Sequence, residues 1–162
     1  ESPRVPLILS LPGVVQHGRC DRLVNTGIDI LPTICDMTGV DIPEGMPGNS
    51  IKAEATGQST GESNAPEYIV VESCLAQGAG VDGVNMVPDA RMVRSGQYKY
   101  CLYSLGERRE SLVDMTNDPG EMVNLADKPA MHDVLLQHRE YLKQHAEKHK
   151  DETALKMLEA VQ

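Results

Sequence analysis

Histidines, cysteines and carboxylates are the residues of this chain whose types and spacing could perform chemistry. His145 and His149 stand four residues apart in the stretch HAEKH. On a helix, two imidazoles at that spacing share one face and can offer two ligands to a metal ion. Two imidazoles without a third ligand make only a weak, incidental site, and polar residues normally fill the outer stripe of a helix. We therefore interpret this pair as part of a solvated helix face.

A second candidate is His17, which lies beside Arg19, Cys20 and Asp21 in VQHGRCDR. A catalytic Cys/His pair must meet in space and usually comes from distant segments of a chain, so neighbours in a turn rarely provide it. Ser2 lacks the GxSxG context of a nucleophile elbow. The glycine-rich stretch 77–83, QGAGVDG, has neither the P-loop lysine nor the GxGxxG spacing. The sequence thus predicts no catalytic and no metal-binding residue on this chain.

Composition narrows the class of protein. The chain has 162 residues, a formal net charge of −9, and no Phe or Trp. An acidic surface repels phosphate backbones, which argues against a nucleic-acid partner. No apolar run approaches the roughly 20 residues that span a bilayer, so no membrane span is expected. Cys35 and Cys101 lie inside apolar patterns and are predicted to be small buried core residues.

The first third of the chain predicts one strand and one helix. Residues 4–11, RVPLILSL, form an almost continuous apolar run, which is typical of a strand covered on both faces in a parallel sheet. Asp29 is a candidate N-cap, Pro32 falls in a first turn and Gly39 suits a helix end, which predicts a helix over about 30–38. A surface excursion follows, and a subdomain boundary is expected near residues 52–66.

The rest of the chain predicts an antiparallel sheet followed by helices. Tyr98, Tyr100 and Leu102 should share one face of a hairpin that turns at Ser95-Gly96-Gln97. D-P-x-E at Asp118 predicts a capped short turn with Pro at the first helical position. Expected strands lie at 67–73, within 90–105 and at 110–115, and helices at about 130–148 and in the tail that follows.

Several of these stretches together resemble the carboxyl-terminal part of the sulfatases, in the alkaline-phosphatase-like superfamily. RVPLILSLPGVV resembles the family's strand followed by Pro-Gly, and DILPTICDMTG with GNSI resembles its D-x-x-P-T helix and G-x-S loop. ARMVRSGQYKY resembles the family's R-x-V-R-x-G-x-Y-K-Y hairpin. SLVDMTNDPGEMVNLAD resembles its L-x-D-x-x-x-D-P-x-E-x-x-N-L-A signature. These blocks occur in the family's order and cover most of residues 4–128.

The resemblance implies an α/β fold class, with α+β character in the C-terminal part. Residues 1–52 are expected to be the end of the large sulfatase α/β domain, with its last strand or strands and a helix. Residues 53–162 are expected to be the C-terminal subdomain, a four-stranded antiparallel sheet packed against a C-terminal helix. The chain is then a carboxyl-terminal fragment, because the nucleophile motif C-x-P-S-R or S-x-P-S-R occurs nowhere in it.

The same resemblance implies the activity of an intact parent protein. That parent hydrolyses sulfate esters of a small molecule or glycan: a formylglycine hydrate attacks sulfur, and calcium or another divalent cation stabilises the charge. The cation and the nucleophile belong to the upstream N-terminal catalytic part, which is the expected partner of this chain. No cofactor is expected on the chain itself, and the parent is expected to be exported. The loop 74–90 is expected to face the leaving-group side of the cleft, or else solvent.

Two alternatives remain at this point. The parent could be a phosphodiesterase or phosphonate hydrolase of the same superfamily, and an unmodified Thr or Ser nucleophile upstream would indicate phosphoryl transfer. The chain could also be a self-standing binding module, which predicts a monodisperse, cooperatively melting protein with its own ligand. An exposed apolar edge along residues 4–11 would instead favour association.

Overall fold

The chain folds into two compact units, Glu1–Pro66 and Glu67–Gln162. A computed structural model describes residues 5–58, 65–74 and 88–161. Two short helices lie in the first unit, and a four-stranded sheet with one long and one short helix forms the second. The junction falls at the end of the 52–66 interval in which a boundary was expected. The assignment of residues 1–52 and 53–162 to sulfatase domains stays a prediction.

Helix α1 spans Ile30–Thr38, as the sequence predicts. It ends because Gly39 adopts a left-handed conformation with φ 74°, and the Gly39 N–H donates to the carbonyl of Cys35. Asp29 occupies the N-cap position, but its side chain makes no capping hydrogen bond. The predicted capping role of that carboxylate is therefore wrong.

The carboxylate of Asp29 instead ties the start of α1 to two backbone amides, one in the preceding turn and one in a distant turn. It accepts hydrogen bonds from the N–H of Asn25 at 2.7 Å and of Asn49 at 2.9 Å. Thr33 extends this lock, because its hydroxyl donates to the Asp29 carbonyl at 2.6 Å and accepts from the N–H of Ile51 at 3.1 Å. Gly48 is required here, since a Cβ at that position would lie 2.2 Å from the Ile28 carbonyl oxygen. The D-x-x-P-T and G-N-S motifs thus form one interlocked turn, and a short second helix, α2 (Lys52–Ala55), follows it.

The strand predicted over residues 4–11 is wrong for the part that the structure describes. Residues 5–11 are not in a strand, and Ile8 is 84% exposed. The segment ends in a turn, in which the Leu11 carbonyl accepts from the N–H groups of Val14 and Val15. An apolar run becomes a strand only when a neighbouring strand pairs with its backbone groups, and no strand lies among residues 5–58.

The second unit is built on a sheet of four antiparallel strands in the order β1-β2-β3-β4. The bounds are β1 (Tyr68–Cys74), β2 (Asp89–Ser95), β3 (Tyr98–Tyr103) and β4 (Glu110–Asp114). Antiparallel pairing and the hairpin at residues 95–98 are as predicted. The register confirms that Tyr98, Tyr100 and Leu102 share one face, because they pair with alternate residues of β4, Asp114, Leu112 and Glu110.

Two helices cover that face of the sheet. A single 3₁₀ turn, Pro129–Met131, leads into α3 (His132–His149), and α4 (Glu152–Glu159) follows after Lys150, whose φ of 59° reverses the chain. Burial of apolar side chains between helices and strands supplies most of the driving force for this unit. The buried core residues are Val70, Val93, Tyr100, Leu102, Leu112, Leu135, Tyr141, Leu142, Ala146, Ala154, Met157 and Leu158.

The segment after β4 closes the outer edge of the sheet. The side-chain oxygen of Asn124 accepts from the Leu112 N–H at 3.0 Å, and its amide nitrogen donates to the Glu110 carbonyl at 3.0 Å. The Leu125 N–H donates to the Leu112 carbonyl at 2.7 Å. The N-L-A motif therefore satisfies backbone groups that an edge strand would otherwise leave open to pairing with another chain.

A buried ion pair joins β2 to the start of α4. Arg91 donates from Nε to Oδ2 of Asp151 at 2.6 Å and from Nη2 to Oδ1 at 3.1 Å, and both side chains are 8% exposed. Asp151 also accepts from the Ala154 N–H and so caps α4. The hydrogen bond from Arg91 holds the pKa of Asp151 below its ordinary value.

A buried histidine fixes α3 on the β2–β3 hairpin. His138 Nδ1 lies 2.7 Å from the Val134 carbonyl, which can only accept, so that nitrogen carries the proton. Nε2 is then free to accept from the Ser95 hydroxyl at 2.9 Å. The rings of Tyr98 and Tyr141 pack edge-on against the imidazole. Burial lowers the pKa of His138, so the folded state holds it neutral.

Replacing Asp151 with Asn should destabilise the second unit. The amide keeps an oxygen for the Ala154 N–H, but it removes the charged carboxylate that hydrogen-bonds to the buried guanidinium of Arg91, and the Glu72 carboxylate lies 3.9 Å from that group. We expect the free energy of unfolding in urea to fall by about 3 kcal/mol. The exposed pair Arg19–Asp21 provides the control, because Asp21→Asn should change nothing measurable. An unchanged stability of the Asp151 variant would show that the buried pair makes no net contribution.

Stability should also fall as the pH drops below about 7, where the unfolded chain protonates histidine and the folded state resists protonation at His138. Because the folded-state pKa lies below the unfolded value, this contribution is present above pH 6.5 and is lost on acidification. Urea unfolding between pH 5 and 8 should therefore show a smaller pH slope in His138→Gln than in the original protein. His132→Gln, at an exposed position of α3, is the control and should keep the original slope. Equal slopes in all three proteins would rule out this role for His138.

Candidate functional site

Five titratable side chains lie together at the end of the β1–β2 pair from which residues 75–87 depart. This β1–β2 charge cluster consists of Glu72, Asp89, Arg91, His145 and Asp151. Glu72 lies 3.9 Å from Arg91 Nη2 and 3.9 Å from His145 Nε2, through different carboxylate oxygens. The hydrogen bond to Asp151 raises the pKa of Arg91, with smaller contributions from Glu72 and Asp89. Arg91 is thus engaged by carboxylates of the cluster itself. Its ion pair with Asp151 links the sheet to the start of α4.

The histidine pair of the HAEKH stretch borders this cluster. The rings of His145 and His149 lie 4.4 Å apart between centroids, so the predicted shared helix face is confirmed. His149 is exposed, whereas His145 is half-buried against β1 and does not lie on a fully solvated stripe. Burial lowers the pKa of His145, with a smaller effect from His149, and the imidazole is therefore neutral near pH 7. Within the described ranges, no group of three or more His, Cys, Asp or Glu side chains is arranged to hold a metal ion.

Two sequence motifs meet on the opposite face of the sheet. Lys99, the central residue of Tyr-Lys-Tyr, is buried and forms an ion pair with Glu121 of D-P-x-E. The short turn predicted at Asp118 is confirmed, because the Asp118 carbonyl accepts from the Glu121 N–H at 3.0 Å and its carboxylate accepts from the Val123 N–H at 2.8 Å. Its helical character is wrong, since Glu121 takes a positive φ of 58° and no helix starts there. That backbone conformation is uncommon for a residue other than glycine. Here it occurs at the residue whose carboxylate forms the ion pair with Lys99. The two motifs therefore support the fold rather than perform chemistry.

A third charged group is buried between β4 and α3. Glu110 accepts from the Tyr100 hydroxyl at 2.7 Å and from Arg139 through Nε at 2.8 Å and Nη2 at 2.5 Å. Arg139 also donates to the Val161 carbonyl at 3.0 Å, which fixes the end of the chain after α4. Burial raises the pKa of Tyr100 far above its ordinary value, so this phenol is a hydrogen-bond donor and not a base.

The remaining sequence candidates do not assemble into a site. His17, Cys20 and Asp21 are all exposed, Asp21 pairs with Arg19, and the Cys20 sulfur accepts only the Arg22 N–H at 3.4 Å. Cys35 and Cys101 are buried, as predicted. Ser2 and residues 77–83 lie outside the described residues, as does most of the loop 74–90 that was expected to face the substrate cleft.

Two open depressions occur on the second unit, and neither has the features of an active site. One has a volume of about 300 Å³ and is lined by Glu107, Arg108, Arg109, Glu110, Asp127, Ala160 and Val161. The other, of about 400 Å³, is lined by Leu136, Arg139, Glu140, Lys143 and Leu158. A nucleophile with an adjacent base is found in neither lining, and the guanidinium of Arg139 is already engaged by Glu110.

Sequence reasoning did not single out Arg91, Glu110, Arg139 or Asp151, which form two of the largely buried ion pairs of the second unit. One signal was available. In β2 and β4, Arg91 and Glu110 stand at alternate positions that also hold Val93 and Leu112, so the strand pattern directs them to the helix-covered face. A charge directed to a buried face implies a partner of opposite charge, but the sequence alone does not say which one.

No helix in the described part of the chain is both long and apolar enough to cross a membrane.

Comparison with known proteins places these features in a family. The family model described as "N-sulphoglucosamine sulphohydrolase, C-terminal" matches residues 1–148. A Δ4,5-hexuronate-2-O-sulfatase of Bacteroides thetaiotaomicron is 33% identical over 154 residues, which are 94% of this chain and 30% of that protein. Arylsulfatase K of Bos taurus is 29% identical over 132 residues, covering 78% of this chain and 23% of the relative.

A solved structure shows the same relation in three dimensions. The structure of a 2-O GAG sulfatase superimposes with a TM-score of 0.75 at 32% identity and covers 88% of this chain and 29% of that one. The chain thus spans less than a third of the length of these relatives. Since the family model covers all but the last residues, the chain belongs to the family of N-sulphoglucosamine sulphohydrolase C-terminal regions and is a sulfatase C-terminal domain.

Proposed function

We propose that this chain is the carboxyl-terminal part of a sulfatase and completes the fold of an upstream catalytic part of the same polypeptide. The relatives are sulfatases more than three times as long as the matched region, which leaves ample length for a catalytic part. Their names favour sulfate esters over the phosphate or phosphonate esters of the wider superfamily. A sulfated small molecule or glycan is the proposed substrate class of the parent.

The observation that carries this proposal is that the first unit exposes many more of its large apolar side chains than it buries. Among its described residues, the buried apolar side chains are Cys35, Ile51 and Pro32. Leu31 and Ile34, on the free side of α1, are 53% and 52% exposed. The other large apolar residues that it exposes are Val5, Leu7, Ile8, Leu11, Val14, Ile28, Val40 and Ile42.

Such a distribution fits a segment that packs against further protein. Protein surfaces do expose single apolar residues, but ten large exposed apolar side chains in one small unit are typical of a segment with an interaction site. A self-standing binding module would bury these side chains in a core of its own. The first unit is therefore proposed to lie against the upstream part, with α1 held in shape by the Asp29–Thr33 lock.

The chemistry of the family is proposed to reside upstream. The described residues do not fit a divalent cation, because no suitable ligand group lies among them, and no cysteine in the sequence has the x-P-S-R context of a formylglycine precursor. We assign no catalytic step to this chain. Its contribution is to bury apolar surface and to hold the neighbouring structure in place.

The purified 162-residue chain should show no turnover of an aryl sulfate above background, whereas the longer polypeptide that includes the upstream part should hydrolyse it. The physical reason is that sulfuryl transfer needs positive charge and a nucleophile at the reacting centre, and the described residues assemble neither. Release of the phenol, followed by absorbance, measures the rate, and a known sulfatase serves as the positive control. Turnover by the short chain would overturn the proposal, as would a longer polypeptide that hydrolyses only phosphate or phosphonate esters.

A further inference from the structure

The sheet of the second unit has two faces of different character. Alternation and register assign one set of side chains to the face away from α3 and α4, here called the helix-free face. Most of these side chains are apolar: Ile69, Val71, Ala90, Met92, Cys101, Tyr103 and Val113, with Ser73, Arg94, Lys99 and Ser111 between them. An antiparallel sheet with one face in water normally presents polar residues on that face. The composition of the helix-free face is that of a covered surface.

The two basic residues on this face bind groups of the second unit. Arg94 donates from Nη1 to the carbonyls of Ser95, Gly96 and Tyr98. Lys99 is paired with Glu121. A solvated face would use such cations to keep strands soluble and separate, whereas here Arg94 Nη1 and the Lys99 ammonium bind acceptors of the second unit itself.

Coverage of the helix-free face is uneven in the described structure. Cys101 and Val113, on β3 and β4, are buried. Val71, on β1, is 40% exposed, Tyr103, at the end of β3 beside Ala90, is 37% exposed, and Ile69 and Met92 are only half-buried. The open part is therefore the β1–β2 side together with the adjoining end of β3, and it reaches the edge of the sheet at β1.

We infer that the β1–β2 side of the helix-free face is a docking surface for the upstream part of the same polypeptide. This inference rests on the proposed function. The occupant follows from length: the matched region is about 30% of the sulfatase relatives and the family model describes their C-terminal end, so the remaining chain lies upstream and is covalently close. The helices already cover the other face, so the helix-free face is the side of the sheet that remains for this contact.

Thiol labelling tests this surface directly. In a Cys20→Ser, Cys74→Ser background, Val71→Cys should react readily with a maleimide in the 162-residue chain. In the longer polypeptide the same thiol should react at least about tenfold more slowly, because buried groups react only through opening events. Leu136→Cys is the matched control: Leu136 is 44% exposed, but it lies on α3, and its thiol should react equally in both proteins.

The outcomes separate the docking surface from the proposed function. Equal labelling of Val71→Cys in both proteins overturns the docking surface, even if the longer polypeptide hydrolyses sulfate esters. Slow labelling in a longer polypeptide without sulfatase activity supports the surface and removes the proposed function. Protection that rises with concentration of the short chain alone indicates a second copy as the occupant and overturns the inference.

Discussion

Burial of apolar surface is the constraint on which this structure depends, and the two units bury such surface to different extents. In the second unit, α3 and α4 cover one face of the sheet and enclose a continuous core that includes Tyr100, Leu102 and Leu142. In the first unit, α1 has apolar residues on two sides. The side with Pro32 and Cys35 is buried, and the side with Leu31 and Ile34 is exposed. A helix or strand is stable in water mainly through the surface it buries, so hydrogen bonds such as those of Asp29 hold local shape without providing a core.

The family motifs acquire physical meaning from these contacts. Asn124 satisfies backbone groups on the outer edge of β4, and Glu121 neutralises the buried Lys99. Asp151 neutralises the buried Arg91 and caps α4 with the same carboxylate. These residues therefore either satisfy backbone groups at the open edge of the sheet or neutralise a charge at a buried strand position. This explains how a chain rich in recognisable motifs can lack a catalytic constellation among its described residues.

The sequence predicts much of the second unit because the relevant signals are local. These signals are the alternation in β2 and β3, the Ser95–Gln97 turn and the periodicity of α3. Each depends on residues that are close together in the sequence. Residues 5–11 were mispredicted because a strand depends on a pairing partner, which residues 5–58 do not provide. Asp29 was misassigned because a distant turn at Asn49 competes for its carboxylate. The absence of catalytic residues was a sequence prediction that stays open, whereas the buried partners Asp151 and Arg139 needed the tertiary structure.

Amide hydrogen exchange of residues 5–11 and of α1 tests the central claim most directly, namely that the first unit lacks a core of its own and gains one from upstream protein. The amides of residues 5–11 should exchange rapidly in the 162-residue chain, and both segments should become strongly protected in the longer polypeptide. Equal protection of these segments in the short chain and in the longer polypeptide would contradict the claim, because it would mean that the first unit needs no further surface to be stable.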